Sequence, residues 1–541
     1  MRRSLLALAL LPLLGCATVA DRPLPRTPDE SVGLSARAIE VVDLGIADLA
    51  GLMQRGEIDS QSLTRLYLDR IEAVDRAGPT LNSVLAINPN ALAEAGALDA
   101  ERRAGRVRGP LHGVPILLKD NIDATPMATT AGSLALADHR PARDAFLVQR
   151  LREAGAVILG KTNLSEWANF RSTNSISGWS GVLGQTRNPY VLDRNPCGSS
   201  SGSGVAAAAS LAAATVGTET DGSIICPAAV SGVVGLKPTV GLVSRDGIVP
   251  ISGSQDTAGP MTRSVADAAV LLDAIVGTDP RDAATGAARR PQATYASHLR
   301  ADALRGARIG VLRRSMGFHP EVDARLEQAI TALRAAGAEV VDAEIPTAGK
   351  WGGDEFAVLL AEFRPALERY LVESGAPVRT LAELMAFNEA NASREMPYFG
   401  QELFAQAMKA PGIDSKAYRD ARERARRLAG PEGIDAALKK QRLDALLAPA
   451  TAPAWKTDTV LGDHFVGAGY GAAAVAGYPS ITVPMGDVRG LPVGLVFMGT
   501  AWSEARLIAL AHAYEQATKA RRPPTYLPTL EDAPRPRPAA P

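Results

Sequence analysis

Residues 197–205 read CGSSSGSGV, a short stretch that is rich in serine and glycine. Within it, residues 198–202 match the G-x-S-x-G pattern, whose central serine (here Ser200) is the nucleophile of many hydrolases. That pattern requires a strand directly before the serine and a helix after it. The apolar AAAASLAAATV that follows predicts the helix, but Pro189 and Pro196 indicate a loop before it. The sequence therefore disfavours Ser200 as a nucleophile, and a flexible Gly/Ser linker is the simple alternative.

Two further stretches place single polar residues at the ends of apolar segments. GVPILLKDNI ends a short predicted strand at Lys119, and GTETDGSIICPAA places Ser223 just after another strand. Gly217 and Gly222 permit the close backbone approach and unusual dihedral angles that a turn of exposed N–H groups requires. Each residue also has an ordinary explanation, as a snorkelling surface lysine or a turn serine. Taken singly, these residues favour the ordinary explanation.

Taken together, the same stretches resemble a known family. GVPILLKDNI, KTNLSEWANF, GQTRNP, CGSSSGSGVA, GTETDGSI and GVVGLKPTVGLVS resemble, in order and separation, the amidase signature of the serine amidases, and they span about residues 110–245. Segments such as AAVAGYPSITVPMG and GLPVGLVFMGTAWSE extend the resemblance to about residues 40–525, and they look most like the bacterial peptide amidases within that family. The resemblance implies an enzyme that hydrolyses linear carboxamides without a cofactor.

The resemblance also implies a Ser-Ser-Lys triad. Ser223 would be the nucleophile, Ser199 the proton relay after a cis peptide bond, and Lys119 the base. Thr173 would lie against the leaving amide. A base must be neutral part of the time, and burial among residues 116–118 would lower the pKa of Lys119 in that direction. The oxyanion hole would be formed by the backbone N–H groups of Thr220, Asp221, Gly222 and Ser223.

Two positions depart from the pattern of many family members, which read G-G-S-I-R around the nucleophile. This chain has Asp221 for a glycine and Ile225 for the arginine. Without that guanidinium, a substrate carboxylate has no partner there, which favours a neutral peptide amide over a short acid-amide. The predicted function is hydrolysis of the C-terminal amide of peptides to peptide acid and ammonia. The alternatives are an amidase of other small or lipid-like carboxamides and, from another class, an exported binding lipoprotein without catalysis.

Helical and strand patterns alternate along most of the chain. Asp59 or Ser60 is predicted to cap a helix that stops at Gly78-Pro79, and a helix at 205–214 is predicted to precede a strand at 215–218. Strand patterns return near the C-terminus, so the sheet is expected to be completed by segments far apart in sequence. The predicted fold is α/β, with a single large mixed β-sheet covered by helices on both faces and a helical region near 352–430.

Composition excludes several other classes of function. Lys and Arg together number 58, as do Asp and Glu, and only 5% of residues are aromatic, so nucleic-acid binding is disfavoured. The six histidines form no H-x-x-x-H pair and lie near no cysteine cluster, so no metal is expected. No G-x-x-x-x-G-K-[ST] loop is present, and no cofactor is expected. The expected partner is a small-molecule or peptide amide.

The first twenty residues are predicted to be an export signal. A basic Met1-Arg2-Arg3 precedes an apolar run that is too short to span a bilayer, and LLGCA resembles the lipobox of bacterial lipoproteins. Cleavage before Cys16 and its lipidation would give a periplasmic, membrane-anchored lipoprotein, with ordinary cleavage after Ala20 as the alternative. The predicted domains are the signal (1–20), a Pro-rich tether (21–38), the amidase domain (39–525) and a disordered tail (526–541).

The other two cysteines, Cys197 and Cys226, could pair in an oxidising compartment. Neither belongs to a disulfide-dense framework, so both are predicted to pack as small unpaired residues.

Overall fold

The computed structural model describes residues 40–530. The predicted export signal, Cys16, the tether and residues 531–541 lie outside the described residues. Numbered in chain order, the strands are β1 (Val84–Ile87), β2 (Pro115–Lys119), β3 (Val157–Thr162), β4 (Trp179–Ser180), β5 (Gly184–Gln185), β6 (Ala214–Glu219), β7 (Val234–Lys237), β8 (Thr257–Thr262), β9 (Arg308–Leu312), β10 (Glu339–Ala343), β11 (Ala445–Pro449), β12 (Ser480–Val488) and β13 (Leu491–Met498).

Eleven of these strands form one sheet in the order β1-β3-β2-β6-β8-β7-β12-β13-β11-β9-β10, and β4 and β5 pair separately. The pairs β3/β2, β2/β6, β11/β9 and β9/β10 are parallel, and the central pairs from β6 to β11 are antiparallel. The prediction of a mixed sheet completed by segments far apart in sequence is confirmed. Most central strands are buried along their whole length, which agrees with helices covering both faces of the sheet.

The helices are α1 (Ile46–Gln54), α2 (Ser60–Arg70), α3 (Ala91–Arg103), α4 (Phe146–Glu153), α5 (Ser201–Ala208), α6 (Ile225–Val230), α7 (Val265–Ile275), α8 (Pro320–Ala335), α9 (Gly352–Glu373), α10 (Leu381–Ala390), α11 (Ala392–Glu395), α12 (Glu402–Lys409), α13 (Lys416–Ala429), α14 (Ala436–Gln441), α15 (Gly471–Ala476) and α16 (Glu504–Thr518). Helices α9 to α13 confirm the helical region near 352–430. Among residues 40–530, no helix combines the length and apolarity needed to cross a membrane.

The predicted start of the second helix is also confirmed. The Asp59 side chain accepts a hydrogen bond from the Ser62 N–H and caps α2. The helix continues as a π-helical segment, Ile71–Ala77, and stops at Gly78.

Two boundaries differ from the prediction. The helix expected at 205–214 begins earlier, because Ser201–Gly204 already have helical hydrogen bonding, and it ends before Ser210, whose positive φ breaks it. The domain also continues beyond residue 525, where the disordered tail was predicted to start. The Tyr526 and Leu527 N–H groups donate to the carbonyls of Pro189 and Tyr190, so these residues are held by the loop before the serine-rich stretch.

Candidate active site

Lys119 is the last residue of β2, a strand with no exposed residue. Its Nζ donates hydrogen bonds to Ser199 Oγ at 2.7 Å and to Thr218 Oγ1 on β6 at 2.9 Å. The side chain is fully buried, and this desolvation lowers the pKa of Lys119 from 10.5 to about 7, although the Asp256 and Glu219 carboxylates act in the opposite direction. A lysine with this pKa is largely neutral just above pH 7 and can accept a proton.

The serine loop, residues 197–200, leads into α5 and is closely packed. The Gly198–Ser199 peptide bond is cis, as the resemblance implies. A Cβ at Gly198 would collide with Ser165 Oγ, and one at Gly202, in the first turn of α5, would collide with two backbone carbonyls. Ser199 itself has no exposed surface. Small residues are therefore needed here for packing, and the interpretation as a flexible linker is wrong.

Ser200 is held by the sheet and not presented to solvent. Its Oγ donates to the Thr218 carbonyl at 2.8 Å and accepts from the Thr218 N–H at 3.1 Å, and the residue is fully buried. No strand immediately precedes it, because residues 192–200 form turns and loop. The structure therefore lacks both the strand and the exposed hydroxyl that a G-x-S-x-G nucleophile requires.

Ser223 lies between β6 and α6 in residues 220–224, which are called the nucleophile turn after the role that the resemblance implies for Ser223. Gly222 has a φ of +80°, and the Tyr470 ring occupies the space where its side chain would be. The Ser200 N–H donates to the Ser223 carbonyl at 3.1 Å, which brings the turn against the serine loop. Within residues 40–530 the Ser223 hydroxyl makes no hydrogen bond, and the residue is 8% exposed. Its hydroxyl is thus uncommitted beside the loop that carries Ser199.

The turn is anchored at both ends by carboxylates. Glu219 Oε2 accepts the N–H groups of Ile224 and Ile225 at 2.7 and 2.9 Å. At the other end, Thr220 Oγ1 donates to Asp256 Oδ1 at 2.6 Å. These contacts pin the turn. In the described part of the chain, they leave a run of backbone N–H groups without an intramolecular acceptor, namely those of Thr220, Asp221, Gly222 and Ser223.

Asp221 is exposed, and its carboxyl lies beside that of Glu355. Desolvation and the neighbouring Glu355 carboxylate raise the pKa of Asp221 well above its usual value. Glu355 also accepts a hydrogen bond from Gln255 Nε2 at 3.1 Å. The two acids therefore hold a proton to a higher pH than ordinary carboxyls, which reduces the negative charge beside the turn.

Thr173 is exposed, and its N–H and hydroxyl donate to Glu402 Oε1 at 2.6 and 3.0 Å. None of its hydrogen bonds reaches Lys119, Ser199 or Ser223. The structure thus brings Lys119, Ser199 and the nucleophile turn together but does not join Thr173 to them.

Comparison with known proteins identifies the family. The family model described as Amidase matches residues 62–508. The chain belongs to this family. The crystal structure of native peptide amidase from Stenotrophomonas maltophilia is 59% identical, with a TM-score of 0.87 over 90% of this chain and 99% of that one. An amidase family protein from Bacillus anthracis is 37% identical, with a TM-score of 0.80 over 90% of this chain and 93% of that one. An Arabidopsis thaliana protein named a probable amidase is 42% identical over 496 residues, 89% of this chain and 91% of its own.

This amidase contains a disulfide between Cys197 and Cys226, with their Cα atoms 6.0 Å apart. The prediction of two unpaired cysteines is therefore wrong. The reason is the contact between the serine loop and the nucleophile turn, which brings together two residues that are 29 positions apart in sequence.

Three residues that contact the site were missed in the sequence of this amidase: Thr218, Glu219 and Asp256. Thr218 and Glu219 lie in the same GTETDGSI stretch as Ser223, so the motif itself was the available signal. Asp256 lies in the loop before β8, and no sequence pattern marks it.

Proposed function

We propose that this amidase hydrolyses the C-terminal amides of peptides to peptide acid and ammonia, with Ser223 as nucleophile, Ser199 as proton relay and Lys119 as base. The observation that carries the proposal is the 2.7 Å hydrogen bond from a fully buried Lys119, with a pKa near 7, to Ser199 Oγ. A serine hydroxyl is a weak nucleophile until a neighbouring base takes its proton. A neutral lysine linked to a serine supplies that base.

The proposed reaction has two halves. Neutral Lys119 takes a proton from Ser199 while Ser199 takes one from Ser223, and Ser223 Oγ attacks the amide carbon. The N–H groups of residues 220–223 receive the developing oxyanion, an interaction worth about 3–4 kcal/mol per donor in other hydrolases. The proton returns through Ser199 to the nitrogen, and ammonia leaves. Water then repeats the sequence on the acyl-enzyme and releases the acid. We propose that Thr173 lies at the leaving-amide side.

The substrate class rests on the similarity to a protein named peptide amidase and on one residue of this chain. Ile225, at the position where many relatives have arginine, is fully buried in the apolar cluster around Cys197 and Cys226. It therefore supplies no cation for a substrate carboxylate. A short acid-amide would bring an unpaired charge toward this site, whereas a neutral peptide amide would not.

A substrate series tests this assignment. An amidated dipeptide, the same peptide extended by one residue beyond the scissile bond, and a short acid-amide such as malonamate are compared by kcat/KM. The expected order places the amidated dipeptide first, with the internal peptide bond left intact. A preference for malonamate would refute the substrate class, and a preference for fatty amides would favour the alternative of other small or lipid-like carboxamides.

The triad is tested by two serine variants of equal size. Ser223→Ala is expected to reduce hydrolysis to background, and it should also abolish labelling by a serine-reactive phosphonate. Ser200→Ala removes a hydroxyl bonded to β6 and should retain the label. Labelling of Ser223→Ala together with loss of labelling in Ser200→Ala would contradict the assignment. Absence of phosphonate labelling in the unmodified protein would favour a binding lipoprotein without catalysis.

We also propose that the chain is exported and carries lipid on Cys16. The support is the basic and apolar pattern of residues 1–20 and the disulfide, because disulfides persist in oxidising compartments. Metabolic labelling with a fatty-acid analogue should mark the wild type and not Cys16→Ala. An unlabelled mature protein starting at Asp21 would show ordinary signal cleavage instead.

A further inference from the structure

The Cys197–Cys226 disulfide joins the two segments that carry Ser199 and Ser223. Cys197 precedes Ser199 by two residues, and Cys226 follows Ser223 by three, within α6. We infer that this disulfide is a positioning device, which holds the serine loop against the nucleophile turn so that the rate of the chemical step depends on its formation. The inference rests on the proposed triad and adds a condition for its activity.

Hydrogen bonds from Ser200 Oγ and Lys119 Nζ tie the serine loop to Thr218 on β6, two residues before the nucleophile turn, but few bonds reach the turn itself. Within residues 40–530, one direct hydrogen bond joins the serine loop to the nucleophile turn, from the Ser200 N–H to the Ser223 carbonyl at 3.1 Å. A single neutral hydrogen bond is a weak tie on its own. Proton transfer between Ser223 and Ser199 requires their oxygen atoms to approach within about 3 Å. Small separations of the two segments therefore suffice to slow the relay.

Each half of the disulfide is fixed to the segment that it positions. Cys197 has a φ of +54°, and its N–H donates to Asn195 Oδ1 at 2.8 Å while its carbonyl accepts the Ser201 hydroxyl at 2.6 Å. The Cys226 N–H donates to the Gly222 carbonyl at 2.8 Å, across the nucleophile turn. The covalent link therefore connects two locally rigid segments, and its effect reaches both Ser199 and Ser223.

The disulfide is also shielded from solvent. Cys197 is 5% exposed and Cys226 is 1% exposed, both within an apolar cluster. Small thiols reach such a bond poorly while the protein stays folded, because exchange requires attack on an accessible sulfur. The state of the pair is therefore set when the chain folds. An enzyme folded under reducing conditions should be correctly folded yet slow.

The test compares kcat and KM of the wild type with those of the double variant Cys197→Ser/Cys226→Ser, at a temperature well below the Tm of both. Non-reducing mass spectrometry should show the linked peptide pair in the wild type. In the double variant, kcat is expected to fall at least tenfold while KM changes less than twofold, because substrate contacts are retained. Wild type unfolded and refolded in dithiothreitol should match it. Here the S–S bond becomes two thiols while dithiothreitol closes to its cyclic disulfide. Unfolding the reduced enzyme and refolding it with oxidised glutathione, which becomes two molecules of glutathione as the S–S bond forms, should restore kcat.

A destabilised variant away from the site separates positioning from stability. Leu326→Ala in α8 removes a fully buried side chain and should lower Tm while leaving kcat unchanged. If the double variant does not fold, kcat and KM of the reduced wild type are compared with those of the oxidised wild type instead. A kcat within twofold of wild type in the variant or the reduced enzyme, or two free thiols in fully active enzyme, overturns the inference. The proposed function fails separately, through an active Ser223→Ala.

Discussion

Replacing Lys119 by methionine should stabilise the folded amidase at neutral pH while abolishing hydrolysis. Burial lowers the pKa of Lys119 from 10.5 to about 7 in the native protein, whereas the unfolded chain keeps the ordinary value. Between these two pH values the unfolded state binds a proton that the native state does not. Native stability therefore increases with pH through this window, and the full cost of burying the amine is present below pH 7.

The magnitude follows from the two pKa values. Burial of the amine costs about 4 kcal/mol at pH 7.5 and about 1 kcal/mol at pH 9.5. Lys119→Met keeps an unbranched side chain of similar length but removes the hydrogen bonds to the Ser199 and Thr218 hydroxyls, which costs about 1–3 kcal/mol, although Thr218 Oγ1 still accepts a bond from Asn121 Nδ2. The variant should therefore be more stable than the wild type by about 1–3 kcal/mol at pH 7.5. This advantage should fall by about 2–3 kcal/mol at pH 9.5.

Equilibrium unfolding in urea at the two pH values measures the difference. Lys161→Met is the matched control, because Lys161 is equally buried but pairs with Asp120 at 2.7 Å. Its loss leaves a buried carboxylate unpaired, so the control should be less stable than the wild type at both pH values, by about 3–5 kcal/mol. An equal free-energy difference between wild type and Lys119→Met at pH 7.5 and 9.5 would refute a lowered lysine pKa.

Three further predictions concern activity. The kcat/KM for an amidated dipeptide should be half-maximal near pH 7 and fall about tenfold per pH unit below it, since Lys119 must lose its proton; a flat profile with chemistry rate-limiting would contradict a lysine base. Adding Lys119→Ala to Ser223→Ala should lower the rate little beyond the single variants, because members of one catalytic unit are not additive; additive losses in kcat would show separate roles. Gly222→Ala should abolish activity and lower Tm, because the new Cβ would collide with the Tyr470 ring. The control Gly490→Ala has a similar φ but open space around the new Cβ, so it should lower the free energy of unfolding by only about 1 kcal/mol and keep kcat.

Much of the framework around the site could be predicted from local sequence patterns. The apolar run that ends at Lys119 predicts a buried strand with a polar end, and Gly222 marks the positive φ that the turn adopts. Both features depend on neighbours within a few residues. The mixed sheet followed from the alternation of helical and strand patterns along the chain, and the helical region near 352–430 followed from its richness in Ala, Leu, Glu and Arg.

The contacts that tune the site could not be predicted in the same way. Thr218 reaches Lys119 because β2 and β6 pair side by side, and Asp256 reaches Thr220 because β6 pairs with β8. These pairings join residues 36 to 99 positions apart, and no local pattern encodes them. The prediction of unpaired cysteines was wrong for the same reason, because the disulfide depends on the contact between the serine loop and the nucleophile turn.

The strand order has a consequence for how the chain is made. The strands β12 and β13, residues 480–498, lie between β7 and β11 and supply one neighbour to each of them. A ribosome must therefore have added β13, which ends at Met498, before the centre of the sheet can close. Until then two apolar strands present open edges, which are templates for aggregation. Nascent chains of this amidase should depend on chaperones late in synthesis, and truncations before residue 480 should be insoluble even though they retain Lys119, Ser199 and Ser223.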